Sequence, residues 1–154
     1  MTTATLHEAG APPHNWRILS HSADYALRAV LYLAARDHEG LVPANEIAEE
    51  LKVPQRYLGK VLNTLAHAGT LQSTRGPRGG FRLTRPADEL TLAEVIAPFD
   101  AIGQPLQCLL HHRTCSEPEP CAAHYEWQNV GAGMREFFNR MTVGGLLRSN
   151  GHAH

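Results

Sequence analysis

Three cysteines and one histidine are the residues of this chain whose types and spacing could build a chemical centre. They stand at Cys108, Cys115, Cys121 and His124, so all three cysteines of the 154-residue chain lie within 14 residues. Thiolates are the usual ligands of iron–sulfur clusters, and histidine can complete the set. The same residues could form a zinc site, although zinc sites more often pair cysteines two to four residues apart. Because the thiols are so close in sequence, we expect a shared centre in preference to three unrelated thiols.

The cysteine count also indicates a compartment. An odd number of cysteines without signs of secretion favours metal or redox chemistry in a reducing cytosol over a disulfide framework. Residues 1–16 lack the apolar core of a signal peptide, and no run approaches the roughly 20 apolar residues that span a bilayer. We therefore predict a cytoplasmic protein without a membrane partner.

The elements that must position these residues are mainly helical. Apolar spacing, Ser22 as a candidate N-cap and Pro54 at a first helical position predict helices at residues 22–36, 44–51, 54–68, 91–99 and about 121–142. Strand-like runs at 70–74 and 80–84 flank a turn cluster and predict a hairpin. An irregular loop at 101–120 holds the first two cysteines.

The last predicted helix carries a narrow apolar seam. Its apolar residues step by three and four positions, as in a coiled coil: Trp127, Val130, Met134, Phe137 and Met141. Gly131 and Gly133 weaken the helix. We therefore expect packing against a partner to hold it.

Charge is divided unevenly along the chain. With 14 Lys and Arg against 15 Asp and Glu, the formal net charge is −1, which taken alone argues against a nucleic-acid partner. Between residues 52 and 85, however, seven basic residues occur without one acidic residue. This basic segment carries +7, and subtracting it from the total of −1 leaves −8 for the rest. It coincides with the third helix and the hairpin.

A helix, a tight turn, a second helix and a basic hairpin follow one another as in a winged helix-turn-helix domain. In that fold the second helix of the pair enters the major groove of DNA, and hairpin arginines reach phosphates or the minor groove. A merely solvated surface would not exclude acids from two successive elements. We predict a mainly α fold: a winged helix-turn-helix DNA-binding domain with a small β-hairpin wing, followed by a long C-terminal helix.

The candidate DNA-binding residues differ in chemistry. Gln55 and Arg56 lie in the first turn of the third helix and can make bidentate contacts to adenine and guanine. Tyr57 beside them is either a DNA contact or a packing residue. The remaining candidates are cations, one turn further along the helix or flanking the wing turn: Lys60, Arg75 and Arg78.

The sequence resembles the winged-helix iron–sulfur regulators of the IscR and NsrR type, the Rrf2 family of bacterial transcription factors. The likeness extends over roughly residues 18–148. Four segments carry it: DYAL at 24–27, YLGKVL at 57–62, the Gly-rich wing RGPRGGFRL at 75–83, and the cysteine loop with its histidine.

The resemblance implies a homodimer joined through the C-terminal helix, which binds a palindromic operator and holds a cluster in each subunit's loop. His124, three residues after the last cysteine and followed by Trp127, is similar to the IscR type with its 2Fe–2S cluster. Asp24 matches the position at which the NsrR type supplies an aspartate from the other subunit to a 4Fe–4S cluster. Asp24 also suits a helix N-terminus and an ion pair with Arg28, so the fourth ligand and the cluster type stay open.

Two departures from the family pattern bear on these expectations. The first spacer between cysteines has six residues where IscR-like members have five. Gly59 stands where IscR carries an acidic residue involved in DNA selectivity. Neither the cluster type nor the operator sequence therefore follows from the resemblance.

The predicted function is transcriptional regulation, as a repressor whose iron–sulfur cluster senses nitric oxide, redox or iron status. The alternatives are the same dimer using its thiols or a zinc site without a cluster, and a winged-helix adaptor that binds protein. The sequence has no apparent catalytic arrangement of Ser, His and Asp, no carboxylate pair and no phosphate-cradling loop. We therefore do not predict an enzyme. The predicted organisation is an extension (1–16), a DNA-binding domain (17–100), a cluster loop (101–120), a dimerisation helix (121–148) and a tail (149–154).

Overall fold

The secondary structure is mainly helical. The computed structural model describes residues 18–36, 40–102, 104, 106–109 and 118–150. Along these residues the elements are α1 (His21–Ala35), α2 (Ala44–Leu51), α3 (Gln55–His67), β1 (Leu71–Thr74), β2 (Gly80–Leu83), a 3-10 turn (Ala87–Glu89), α4 (Leu92–Ile96), α5 (His124–Arg140) and α6 (Val143–Asn150). The predicted fold class is confirmed, and within the described ranges no helix has the length and apolar character to cross a membrane. Cys115, residues 1–16 and residues 151–154 lie outside these ranges.

Helix α1 lies at the centre of the core. Its N-cap is Ser20, whose hydroxyl accepts a hydrogen bond from the Ala23 N–H at 3.2 Å, so the prediction of Ser22 as the cap is wrong. Its buried residues are mostly small: Ala23, Ala26, Ala29, Val30 and Leu33. Because these side chains are short, α2, α3, α4 and α6 all pack closely against α1.

Helices α2 and α3 form the helix-turn-helix pair. Helix α2 ends where Lys52 adopts the left-handed conformation with φ of 54°. Pro54 lies just before α3 as its N-cap, one position earlier than predicted. The predicted apolar stripe of α3 is buried in the core: Leu58, Val61, Leu62 and Leu65.

The hairpin docks onto the segment before α2. Strands β1 and β2 are antiparallel, with Leu71 opposite Leu83 and Thr74 opposite Gly80. Val42 and Phe81 exchange two backbone hydrogen bonds of 3.0 and 2.8 Å, so the hairpin gains a short third partner. A Cβ at Gly80 would overlap the Val42 carbonyl, which explains the glycine there.

The predicted C-terminal helix is divided into two helices. Helix α5 starts at His124, later than predicted, and ends at Arg140. The chain is then extended at Met141, whose carbonyl accepts a bond from the Leu92 N–H at 2.9 Å, and Thr91 forms an isolated β-bridge with Thr142. The prediction of one helix to residue 142 is wrong because this pairing with the start of α4 replaces helical hydrogen bonds.

Helix α6 returns the chain to the core. Val143 is fully buried, and the helix packs against α1 and the 3-10 turn. Arg148 forms an ion pair with Asp88 of that turn. Ser149 and Asn150 belong to this helix, so the prediction of a tail beginning at residue 149 is wrong for these two residues.

Helix α4 is shorter than predicted. The expected range 91–99 yields a helix of five residues, and Thr91 is its N-cap. The Thr91 hydroxyl accepts from the Glu94 N–H, and the Glu94 carboxylate accepts from the Thr91 N–H, which together form a capping box. Thr91 thus belongs both to this cap and to the bridge with the α5–α6 junction.

Candidate nucleic-acid interface and cysteine loop

The first turn of α3 presents polar side chains to solvent. Gln55 and Arg56 are exposed, and so is Lys60 one turn further on. The buried apolar stripe lies on the other side of the helix and holds it in the core. This separation leaves the side chains free to contact a ligand, as a recognition helix requires.

Tyr57 contacts α1. Its ring packs edge-to-face on the ring of Tyr25 with centroids 5.5 Å apart. Its hydroxyl is hydrogen-bonded to the Ser22 hydroxyl at 2.6 Å, yet the residue stays 37% exposed. Of the two roles considered for Tyr57, packing is therefore observed, and contact with DNA stays a prediction.

The wing places two cations at its turn. Arg75 and Arg78 are both exposed. The turn is closed by a hydrogen bond of 2.9 Å from the Gly79 N–H to the Gly76 carbonyl. Gly76 has φ of +108°, which favours glycine.

The basic segment divides into paired and unpaired cations. Arg85 is paired with Glu94 at 2.6 Å, and Arg82 donates to the Gln72 side chain at 2.9 Å. Among the described residues of α3 and the wing, four cations have neither an ion pair nor a side-chain hydrogen bond: Arg56, Lys60, Arg75 and Arg78. These four are the cations of the site prediction, and their charge is available to an anionic partner.

Glu94 is the carboxylate that receives Arg85. Partial burial, the largest single influence, raises the pKa of this carboxyl. Hydrogen bonds from the Thr91 N–H, the Arg85 guanidinium and the Thr91 hydroxyl outweigh burial, so the pKa of Glu94 lies below its ordinary value. The ionised carboxylate therefore stabilises the junction between the wing and α4.

The candidate metal ligands are only partly described. Cys108 is half-buried and Cys121 is exposed, whereas Cys115 lies outside the described residues. The His124 ring is 5% exposed and packs edge-to-face on Tyr125 at 5.0 Å. No three His, Cys, Asp or Glu side chains of the described ranges form a group that could hold a metal ion. The predicted convergence of four ligands stays a prediction.

The segment before Cys108 is attached to α5. The indole N–H of Trp127 donates to the Gln107 carbonyl at 2.8 Å. One turn along, a Cβ on Gly131 would lie 2.8 Å from Leu106 Cγ, so the glycine admits the Leu106 side chain. The predicted role of Trp127 was in the helix seam, and Gly131 was expected only to weaken the helix. No local pattern indicated this attachment, because its hydrogen bond joins residues 20 positions apart.

Asp24 has the ion-pair partner that the sequence suggested. Its Oδ2 atom lies 3.9 Å from Nη1 of Arg28, one turn along α1. Arg28 also donates from Nη2 to the Leu51 carbonyl at 2.9 Å. A role of Asp24 as a cluster ligand stays a prediction.

The seam of α5 is incompletely covered. Val130 is 51% exposed and Phe137 is 44% exposed. Phe138, which lies off the predicted seam, is the aromatic residue that α5 buries in the core. A strip of apolar surface is thus left on this helix.

Comparison with known proteins identifies the class of regulator. The model of the Rrf2 family, described as an iron-dependent transcriptional regulator, matches residues 19–149. The chain belongs to the Rrf2 family. The chain is thus a winged-helix transcriptional regulator and not an enzyme, as predicted.

Individual relatives agree with the family assignment. An HTH-type regulator of Aquifex aeolicus is 36% identical over 132 residues, covering 84% of this Rrf2 protein and 91% of the relative. IscR of Photobacterium profundum is 32% identical over 133 residues, covering 86% and 76%. The solved structure of CymR, the global cysteine regulator of B. subtilis, has a TM-score of 0.74 at 24% identity and covers 85% and 96%. That last likeness concerns the fold.

Proposed function

We propose that this Rrf2 protein is a homodimeric repressor that binds a palindromic operator under the control of an iron–sulfur cluster. The observation that carries the DNA-binding part is a set of four exposed cations on α3 and the wing, whose side chains have no ion pair or hydrogen bond among the described residues. In this proposal Gln55 and Arg56 contact base edges in the major groove. Lys60, Arg75 and Arg78 contact phosphates, which fix the register of the protein on DNA.

The salt dependence of DNA binding tests this interface. Cations that neutralise phosphates release counterions, so the affinity should fall steeply with salt. Arg78→Ala should reduce the slope by about one for each phosphate that Arg78 neutralises. Arg36 is a cation outside the basic segment, and its guanidinium carbon lies 3.9 Å from the centroid of the Tyr32 ring. Arg36→Ala should therefore leave the slope unchanged. Equal slopes for wild type and Arg78→Ala would contradict the role of the wing.

The dimer in this proposal uses the exposed seam of α5. Val130 and Phe137 are large apolar side chains that a second copy of the helix would cover. Two recognition helices joined in this way could read half-sites about one turn of DNA apart.

The cysteine loop is the proposed holder of the cluster. The donor set suits one, because three thiolates and an imidazole are ligands that iron–sulfur clusters accept. A backbone bond of 3.0 Å from the His124 N–H to the Cys121 carbonyl keeps two of these ligands one turn apart. Cys108 follows the segment that Trp127 holds on α5. Cys115 would be the third thiolate, and the fourth ligand would be His124 or, from the partner subunit, Asp24. When bound, the cluster would supply a group that reacts with nitric oxide or oxidants, and whose presence depends on the iron supply.

The chain itself offers a route from the loop to the DNA-binding elements. Gln107 and Leu106 bear on α5, and the end of α5 is bonded to the start of α4 through Met141 and Leu92. Glu94 of α4 then holds Arg85 beside the wing. A change in what the cysteines bind would therefore reach the wing through packed helices and backbone hydrogen bonds.

The content of iron and acid-labile sulfide in anaerobically purified protein tests the cofactor. We expect both elements, with a visible absorption spectrum that Cys108→Ala and Cys121→Ala abolish. About one zinc per chain without iron or sulfide would contradict the proposal.

A second candidate is a regulator that senses oxidants through its thiols without a cluster. One observation favours it: Cys121 is exposed, so an oxidant in solution can reach its thiol. In that case operator binding would respond to oxidant in metal-free protein, and a triple Cys→Ala variant would bind but no longer respond. A cluster-dependent regulator would lose its response on iron removal.

A further inference from the structure

One face of α1 supports both ends of the helix-turn-helix turn. Ser22, Tyr25 and Arg28 recur every three residues and therefore lie along one side of the helix. Their contacts reach Leu51, the last residue of α2, and Tyr57, the third residue of α3. Leu51 and Tyr57 lie on opposite sides of the turn in sequence, so α1 contacts each helix of the pair.

Arg28 holds the end of α2. Its Nη2 donates to the Leu51 carbonyl at 2.9 Å. This carbonyl is among the last four of the helix, which have no partner within it. The guanidinium is itself located by Asp24 at 3.9 Å and by the Tyr25 ring, whose centroid is 5.8 Å from Cζ.

Tyr57 holds the start of α3. Its hydroxyl meets Ser22 at 2.6 Å, and its ring rests edge-to-face on Tyr25. No side chain caps α3, because its N-cap residue is Pro54. The contacts with α1 therefore anchor the side chains of the first turn of α3, which no side-chain cap holds in place.

We propose that Arg28 and Tyr57, supported by Ser22 and Tyr25, are positioning residues that set the orientation of the recognition helix. They form a turn brace, which raises the discrimination between operator and other DNA without contacting DNA. Bidentate base contacts depend on helix placement, whereas contacts of mobile cations with phosphates tolerate small shifts. The inference rests on the proposed function in one respect, namely that α3 reads DNA.

The test compares two affinities for each full-length variant, prepared in the same way as the wild type. One probe is a palindromic duplex selected by the wild-type chain from a random library, and the other is its scrambled counterpart. Tyr57→Phe and Ser22→Ala each remove the same hydrogen bond, so each should lower the affinity ratio by about threefold to tenfold. The double variant should lose no more than either single variant. Binding to the scrambled duplex should not change.

Tyr32→Phe is the matched control. Tyr32 also lies on α1 and donates its hydroxyl across to α2, to Glu46 at 3.2 Å, but away from the turn. This variant should keep the wild-type ratio. Arg28→Met, whose melting temperature is measured alongside to verify folding, should lower the ratio as Tyr57→Phe does.

Two results would overturn the turn brace. If Tyr57→Phe weakens binding to both duplexes alike while Ser22→Ala has no effect, the tyrosine hydroxyl contacts DNA instead of positioning the helix. If amide exchange at residues 55–58 is unchanged in Tyr57→Phe and Ser22→Ala relative to Tyr32→Phe, the hydrogen bond does not hold α3. If the wild-type chain selects no duplex, the proposed function is wrong, and so is the claim that the turn brace raises discrimination. The exchange experiment then tests the positioning of α3 separately.

Discussion

Gly59 lies in the middle of α3, where the backbone freedom of glycine lowers the stability of the helix. A Cβ built at this position meets nothing within 4 Å, so core packing does not require glycine. Glycine within a helix is less favourable than alanine by about 0.5–1 kcal/mol. Gly59→Ala should therefore raise the free energy of unfolding by about that amount in urea denaturation.

Gly131 provides the matched comparison for Gly59. It also lies inside a helix, but there a Cβ would crowd the Leu106 side chain at 2.8 Å. Gly131→Ala should gain less stability than Gly59→Ala or lose some, because Leu106 must move. Equal gains in both variants would contradict the role assigned to Leu106.

Glu94 predicts a pH dependence of stability. Its pKa in the folded chain lies below the ordinary value of 4.5. The stabilisation is therefore complete above the unfolded pKa and is lost as pH falls through the folded pKa. Glu94→Gln should lower the melting temperature at pH 7, and the difference from wild type should shrink as the pH falls below about 4. If the melting temperatures of wild type and Glu94→Gln differ by the same amount at pH 7 and below about pH 4, the Arg85–Glu94 pair is not the source of the difference.

At the level of single residues, the exposure of a side chain could be predicted from its type, whereas a contact between residues far apart in sequence could not. The cations of the basic segment are exposed as expected, because charged groups at spacing opposite to an apolar stripe must face solvent. Asp24 and Arg28 form the ion pair that their spacing of four favours. The bond from Tyr57 to Ser22 could not be predicted, because it joins residues 35 apart in sequence through the packing of two helices.

Among the elements, the attachment of the loop to α5 is open to a direct experiment. Trp127→Phe keeps an aromatic ring but removes the N–H that donates to Gln107. The segment before Cys108 should then open more often, so the half-buried Cys108 should be alkylated severalfold faster in metal-free protein. An increase of that size corresponds to the free energy of about one hydrogen bond.

The control for this loop variant is Tyr125→Phe. Tyr125 lies on the same helix and is 65% exposed. Its variant should leave the alkylation rate of Cys108 unchanged, and Cys121, which is already exposed, should react alike in all three proteins. Faster alkylation of both cysteines in Trp127→Phe would indicate general unfolding of the loop.

The elements also show where periodicity stops being informative. Helices α2 and α3 and the hairpin follow the predicted ranges closely, because caps, turns and apolar stripes all act locally there. The apolar steps of three and four continue from Trp127 to Met141, yet the helix ends at Arg140. Backbone pairing with residues 90–92, some fifty positions earlier, decides that ending, and no local pattern reveals it.

For the whole molecule, oligomeric state is the expectation that a single surface substitution can test. Val130→Lys places a charge on the exposed strip of α5, where it should disrupt packing of a second copy but not the fold of one chain. We expect sedimentation to change from dimer to monomer at an unchanged circular dichroism spectrum. Asn129→Lys adds the same charge at the neighbouring exposed position, off the seam, and should stay dimeric.

The cysteine centre shows the limit of sequence reasoning at this scale. Thiol and imidazole chemistry restricts the cofactor class, but three of the four proposed loop ligands, Cys108, Cys121 and His124, do not by themselves form a metal-holding group. In the proposed cluster site, ligand convergence would depend also on Cys115 and, in one arrangement, on Asp24 of a second subunit. Neither loop path nor subunit contact is encoded in spacing alone.

The packing of α6 against α1 has a consequence for the order in which the chain can fold during synthesis. Helix α1 leaves the ribosome early, but Val143 and its neighbours, which complete its cover, are made more than a hundred residues later. Until then the winged domain lacks part of its core, so a chain interrupted before α6 should be a substrate for proteases. Premature termination in the cysteine loop would then seldom release a stable winged domain that lacks α5 and α6.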